Sequence, residues 1–357
     1  MNRIALVMIA RNEARCIERA LRSAQPWVDE MIVLDTGSTD GTPELASACG
    51  ARVGHFTWVD DFSAARNAAL ALTEAPWRLV VDADEWLSEG ASALAALHNL
   101  APAFIGQLSV SSTIEQGLSQ QGQAPSWLSR VLPVGVAYAG RIHEQPDSPL
   151  PRRRLPLVLA HDGYLPEQMQ AKQGRNAHLL DLALASQPHD AYLQYQRGKD
   201  FEVHGDPVQA AAWYDKAFRG AGRDAPWRHD LVLRRLFTLK TLRAFEPALR
   251  LAQAELPHWQ ASPDFYFALG DLFLDWAQHE PHKASELLPM IQSSWEQAVQ
   301  IGERPELPDT VRGRGSYLAA HNLAVLHESL GRATEAQAWR EQEAQMRAAA
   351  APVSPVG

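Results

Sequence analysis

Four apolar runs alternate with amphipathic ones in the first hundred residues, and that alternation leaves few folds open. IALVMIA (4–10) and MIVLD (31–35) read as buried strands, ARVGHF (51–56) as a weaker third and RLVVDADE (78–85) as a fourth. Between them, EARCIERALRSA sets Ile17, Ala20, Leu21 and Ala24 on one helical face. A second helix opens at Thr42-Pro43, a capping residue followed by proline at the first helical position, and stops at Gly50. SAARNAALALTEA supplies a third, with Asp61 or Ser63 as its cap. A β-α-β-α-β-α-β order predicts a parallel sheet with helices on both faces. Such sheets bind ligands at the carboxyl ends of their strands, where RNE, DTGSTDG and DADE all fall.

DADE packs Asp82, Asp84 and Glu85 together, and three carboxylates repel one another unless a cation joins them. A helix over residues 86–100, capped by Ser88 with Glu89 in its first turn, accounts for the downstream residues but not for these three. Asp82 and Asp84 alternate along an extended chain and so face one side. A magnesium or manganese ion, which prefers oxygen ligands and keeps waters, suits such a site. Asp35 and Asp40 flank a Gly/Ser/Thr turn that lets backbone approach a ligand closely; Asp35, at the strand end, reads as ligand-facing. Asp40 either meets the ligand or supports the turn.

With 357 residues the chain has room for two domains, and 46% hydrophobic residues is an ordinary globular share. A net charge of −9 argues against a sequence-independent grip on nucleic acid. Cys16 and Cys49 form no metal or disulfide pattern, and IALVMIA is too short to span a bilayer. A cytoplasmic setting with no transmembrane segment is the expectation. Residues 101–165 are less regular; QLSVSSTIEQG and VAYAGRIHEQP read as further strands, and PRRRLP (Arg152–Arg154) as a solvated basic loop. From about residue 166 the pattern turns helical. Gly198, Phe201, Gly205, Ala210, Tyr214 and Ala217 follow the tetratricopeptide (TPR) pattern, as do Leu323, Ala324, Gly331 and Ala336. A third unit centres on Leu269 and Gly270, its partner helix arriving late enough to imply an insertion; residues 229–257 match least well. The expected division is an α/β domain over 1–165, a connecting helix over 166–188, a TPR-like all-α domain over 189–348 and a disordered tail over 349–357.

IARNE, DEMIVLDTGSTDGT, WVDDFSAARN and DADE, in that order, resemble the N-terminal half of inverting family 2 glycosyltransferases, which have the GT-A fold. SRVLPVGVAYAGRIHEQ followed by HDGY narrows the resemblance to the branch with C-terminal TPR repeats, which includes enzymes that glycosylate bacterial peptides. The resemblance implies a nucleotide-sugar donor, with a uridine-linked one favoured, bound by Ala10, Arg11, Asn12, Glu13, Asp35, Ser38, Asp40, Arg66, Asn67, Asp82 and Ala83. It implies Asp84 as direct ligand of Mn2+ or Mg2+, with His161 completing the metal site. Glu144 becomes the candidate base, with His143 able to exchange roles with either residue. Glu85 orients the acceptor or metal waters, or faces solvent. Peptide or protein acceptors, bound by the repeats, are the expected partners, or else the repeats drive homodimerisation. A saccharide or lipid-linked acceptor is the nearest alternative, and a TPR scaffold with an inactive transferase domain the alternative of another class.

Overall fold

The computed structural model describes residues 1–112, 126–161, 166–307 and 310–350. They form two compact units, one holding the described residues up to Pro188 and the other those from His189. In the first, β1 (Ile4–Ala10), α1 (Ile17–Ala24), β2 (Glu30–Asp35), α2 (Thr42–Ala48), β3 (Arg52–His55), α3 (Phe62–Leu70) and β4 (Trp77–Val80) follow the expected alternation. β5 (Glu85–Glu89), β6 (Ile105–Ser112), β7 (Ser126–Pro133) and β10 (Arg152–His161) complete a sheet of order β3-β2-β1-β4-β7-β6-β10-β5. β8 (Ala137–Ala139) and β9 (Gln145–Asp147) form a separate ribbon. Strand pairing leaves β7 and β5 antiparallel to the other six, so the carboxyl ends of β1, β2, β4 and β10 share one edge. This is a mostly parallel α/β unit, as the resemblance implies.

Both faces of the sheet are covered, which is why its strands read as continuous apolar runs. Ile4, Leu6, Met8, Leu79 and Val81 pack with Ile17, Ala20 and Leu21 of α1. The intervening Ala5, Val7 and Val80 pack with Ala69 and Leu70 of α3 and Tyr138 of β8. Asp61 caps α3 by accepting from the Ala64 amide at 2.9 Å. Gly41, at φ +82°, occupies the cap position of α2; Thr42 is its first helical residue.

The helix expected over 86–100 with Ser88 as its cap does not form. Residues 85–89 are β5, an edge strand antiparallel to β10, and the Ser88 hydroxyl donates to the Val158 carbonyl at 3.1 Å. Leu87 reaches the core and the Arg19 guanidinium lies 3.7 Å from the centre of the Trp86 ring, so tertiary pairing overrides the local helical signal. Gly90, at φ +69°, then turns the chain where an added Cβ would stand 1.8 Å from the Pro156 carbonyl oxygen, and short 3-10 turns cover Ala91–Asn99. Arg152–Arg154 belong to β10 rather than to a loop, with Arg153 over Phe104 and Arg154 over Trp127. Of QLSVSSTIEQG, residues 113–117 lie outside the described residues, as do Asp162, Gly163 and Tyr164 of HDGY.

α4 (Pro166–Ser186) belongs to the first unit. The second unit consists of helix hairpins: α5 (Ala191–Val203) with α6 (Pro207–Gly220), α7 (Arg228–Thr241) with α8 (Phe245–Glu255), α9 (Pro263–His279) with α10 (Ala284–Ile301), and α11 (Tyr317–Ser329) with α12 (Ala333–Ala350). The stretch with the weakest repeat signal is thus a hairpin like the others. The insertion expected in the third hairpin is absent: α9 and α10 are longer helices joined by one 3-10 turn, Pro281–Lys283. α12 runs to Ala350, and residues 351–357 of the expected tail lie outside the described residues. Small residues stand where helices cross. A Cβ on Gly198 would lie 2.5 Å from the Tyr214 ring, and one on Gly270 2.3 Å from Trp295 Nε1. Trp295 is 1% exposed and has nowhere to move. Gly270→Ala should therefore destabilise the second unit by about 1–3 kcal/mol, read as a lower urea midpoint. A midpoint at or above wild type would show the crossing to be looser than this.

Candidate functional site

The loops at the carboxyl edge are tied to each other by short polar links. Asn12, at φ +56°, donates its amide to Ser38 Oγ at 2.9 Å and accepts from the Thr39 amide at 2.8 Å through Oδ1. The Glu13 amide donates to Thr42 Oγ1 at 2.8 Å and the Ala14 amide to Asp40 Oδ2 at 3.0 Å. Asp40 also accepts from the Thr42 hydroxyl at 2.5 Å. The slight burial of Asp40 works against its charge, but the bonds from Thr42 and Ala14 outweigh it and hold the carboxyl below its usual pKa. Of the two roles open to Asp40, the structure displays the turn-supporting one. Asp35 is 4% exposed and accepts from the Gly37 and Ser38 amides, so its carboxylate also braces the loop. Arg11 is exposed at the same edge. The side chains of Ala10 and Ala83 are in the core, which leaves only their backbone to face a ligand.

Beside these loops stands a chain of ion pairs built on two buried arginines. Arg66 of α3 donates from Nη2 to Asp82 Oδ1 at 2.8 Å and from Nε to Glu144 Oε1 at 2.5 Å. Arg130 of β7 donates from one nitrogen, Nη2, to Asp82 Oδ2 and Glu85 Oε1, each at 2.7 Å. The Asp82 amide donates to Glu85 Oε2 at 2.9 Å. Burial alone would raise the pKa of Asp82, yet Arg130 and Arg66 overcome it and hold the carboxyl far below the usual range. Glu85 moves the other way: burial, with the negative charges of Asp82 and Asp84, outweighs Arg130 and raises it. At 3% exposure Glu85 neither faces solvent nor presents itself to an acceptor. Tyr138 packs under Arg66, 5.5 Å from guanidinium carbon to ring centre, and burial pushes its hydroxyl up to about 12 against the pull of both arginines.

Asp82 and Asp84 do not share a side. Residues 83 and 84 form a turn rather than an extended strand, so Asp82 points to the two arginines while Asp84 meets His161, Oδ2 to Nε2 at 3.2 Å. Asn67 is placed differently from expectation as well. Its amide donates to the Tyr138 carbonyl at 2.9 Å and accepts from the Tyr138 amide at 2.8 Å, fastening β8 to α3 as a neighbouring strand would. His143 adopts φ +54° beside Glu144, a backbone state uncommon outside glycine.

Asp84 and His161 bring together a carboxylate oxygen and an imidazole nitrogen at the strand edge, donors that Mn2+ or Mg2+ accepts. Among the described residues no three His, Cys, Asp or Glu side chains gather around one point, so such an ion would rest on this pair with diphosphate oxygens and waters as its other ligands. The pair fits that role.

Arg130 and Tyr138 escaped the sequence reading. The signal was present: an arginine inside SWLSRVLP, an otherwise largely apolar strand, requires a buried anion.

Residues 5–108 match the Glycosyl transferase family 2 model, and the chain carries a family 2 glycosyl transferase domain. Over 248 residues it is 34% identical to a TPR repeat-containing protein of Synechococcus elongatus, covering 65% of this chain and 60% of that one. Over 233 residues it is 26% identical to the SPbeta prophage-derived glycosyltransferase SunS of Bacillus subtilis, covering 62% of this chain and 54% of that protein. The chain thus spans little more than half the length of these relatives. A crystal structure of glucosyl-3-phosphoglycerate synthase from Mycobacterium tuberculosis with Mn2+, uridine diphosphate and glucosyl-3-phosphoglycerate aligns at 28% identity over 31% of this chain and 44% of that one, with a TM-score of 0.26. Among the described residues no helix is long and apolar enough to cross a membrane.

Removing Arg130 would strand Asp82 and Glu85 without their shared cation. Arg130→Met should cost about 3 kcal/mol of stability above the carboxylate titration range. The loss should shrink as pH falls through that range, because protonated carboxyls no longer need the cation. Urea unfolding at several pH values checks this, and a pH-independent loss would contradict the ion-pair account.

Proposed function

We propose that the protein is an inverting, metal-assisted glycosyltransferase that moves a sugar from a nucleotide-sugar donor to a peptide or protein acceptor. The observation that carries this reading is the Asp84–His161 pair, at the carboxyl edge of a family 2 domain, two residues from an Asp82 anchored by two buried arginines. A divalent cation on that pair would neutralise charge growing on the departing diphosphate. Asn12, Ser38 and Asp40 hold the β1 and β2 loops in one arrangement, so the nucleoside meets a preformed surface. Arg66, clamped between Asp82 and Glu144, sets the position of the candidate base relative to the donor side of the site. Glu144 takes the proton of the acceptor nucleophile while that atom bonds to the anomeric carbon from the face opposite the leaving group. The anomeric carbon–oxygen bond breaks, and its electron pair stays on the diphosphate. The helix hairpins support an extended acceptor, since repeat arrays present long continuous surfaces. A uridine-linked donor and a cytoplasmic setting belong to the same proposal.

Incubating the protein with a panel of nucleotide sugars and Mn2+ or Mg2+ tests donor and catalysis together; no binding or turnover of any donor would leave a helical scaffold with an inactive domain. Asp84→Ala should cut metal-dependent turnover by at least about 100-fold with an unchanged melting temperature, and normal turnover would move the metal elsewhere. Glu144→Gln, which keeps a hydrogen-bond acceptor for Arg66, should spare donor binding and slow transfer by about 100- to 10,000-fold. A near-normal rate would pass the base role to His143. Transfer to oligosaccharides but to no peptide would favour the saccharide-acceptor alternative.

A further inference from the structure

α4 carries a cation into the site that neither the family 2 match, which ends at residue 108, nor the sequence reading covers. Arg175 lies with its guanidinium carbon 5.1 Å from the centre of the Phe62 ring. Phe62 is the first residue of α3, and Arg66 stands one helical turn further along the same face. Arg175 is exposed, and its hydrogen bonds are long ones, 3.3 and 3.4 Å, to the Asn176 side chain next to it. Among the described residues no carboxylate lies within ion-pair distance of it. This sets it apart from Arg66 and Arg130, whose charges are spent on Asp82, Glu85 and Glu144.

The surroundings of Arg175 are those of the site. Partial burial lowers its pKa; the charge of Glu13 opposes this, Arg11 adds to it, and Asp84 and Glu144 oppose it in turn. Two guanidiniums, Arg11 from the end of β1 and Arg175 from α4, are therefore close enough to repel each other. An anion with several oxygens would relieve that repulsion and give the Arg175 donors what Asn176 supplies poorly.

We infer that Arg175 contacts the diphosphate of the nucleotide sugar and holds it as it departs, which makes α4 part of the donor site. This rests on the proposed sugar transfer, and it assigns the diphosphate a protein contact separate from the Asp84–His161 pair. Arg175 acts on the leaving group alone: it takes no proton, and the bond changes at the anomeric carbon are those already given.

Calorimetric titration of the full chain with UDP, GDP, dTDP and ADP, in the presence of Mn2+, identifies the diphosphate that the wild type binds. Arg175→Gln should weaken that nucleoside diphosphate by about tenfold or more, leave the affinity for the matching nucleoside unchanged, and keep the wild-type melting temperature. Arg175→Lys, which keeps the charge but not the planar fork, should recover part of the loss. His178→Ala, on the same helix and 4.0 Å from Asp60, should leave both affinities unchanged. If Arg175→Gln weakens nucleoside and diphosphate equally, or neither, the residue only docks α4 on Phe62 and the inference is overturned. If the wild type binds none of the four diphosphates, the sugar-transfer reading itself fails, a different result from a wild type that binds and a variant that binds equally well.

Discussion

Asp82 sits between two buried guanidiniums, and the rest of the first unit is arranged around keeping it there. Arg66 comes from α3 and Arg130 from the antiparallel strand β7, so one carboxylate cross-links elements 64 sequence positions apart. Through Arg66 the chain of charges extends to Glu144 and through Arg130 to Glu85. Burying charges in this way is costly unless each is paired, so the network tolerates little displacement of any strand that supplies a member. That demand places the turn at residues 83 and 84, and the turn is what swings Asp84 away from Asp82 and toward His161.

The consequence is a division of labour within DADE. Asp82 and Glu85 are committed to the arginines, and Glu85 also to the Asp82 amide, while Asp84, itself 6% exposed, meets an imidazole. A similar division appears in the loops. Asn12, Asp35, Ser38 and Asp40 spend hydrogen bonds on holding two loops together, and that leaves a preformed surface of backbone and exposed side chains at the sheet edge. Residues that resemblance assigns to a ligand are here also the residues that shape the loops, and the two roles do not conflict.

Much of this was legible in the sequence. The apolar runs at strand length, the Asp61 cap and the Thr-Pro helix start mark α/β order because each is a local property of a few residues. The small residues of the repeats were legible for the same reason, since Gly198 and Gly270 mark helix crossings wherever the partner aromatic comes from. The reading failed where a distant partner decided the outcome. Residues 86–100 carry a plausible cap and good helix formers, yet β10 lies alongside and takes residues 85–89 as a strand. Asn67 sits where a ligand-facing amide was expected, and β8 claims both of its hydrogen-bonding groups.

The sequence by itself determined the α/β alternation, the clustering of acidic motifs at strand ends and the change to helical hairpins, because hydrophobic period and turn chemistry act over a few residues. Tertiary structure alone decided which carboxylates pair with arginines and which meets an imidazole, because that depends on where Arg66, Arg130 and His161 arrive from elsewhere in the chain. Charge in a low-dielectric interior is governed by its nearest partners, and nearness in space is what a linear sequence does not record.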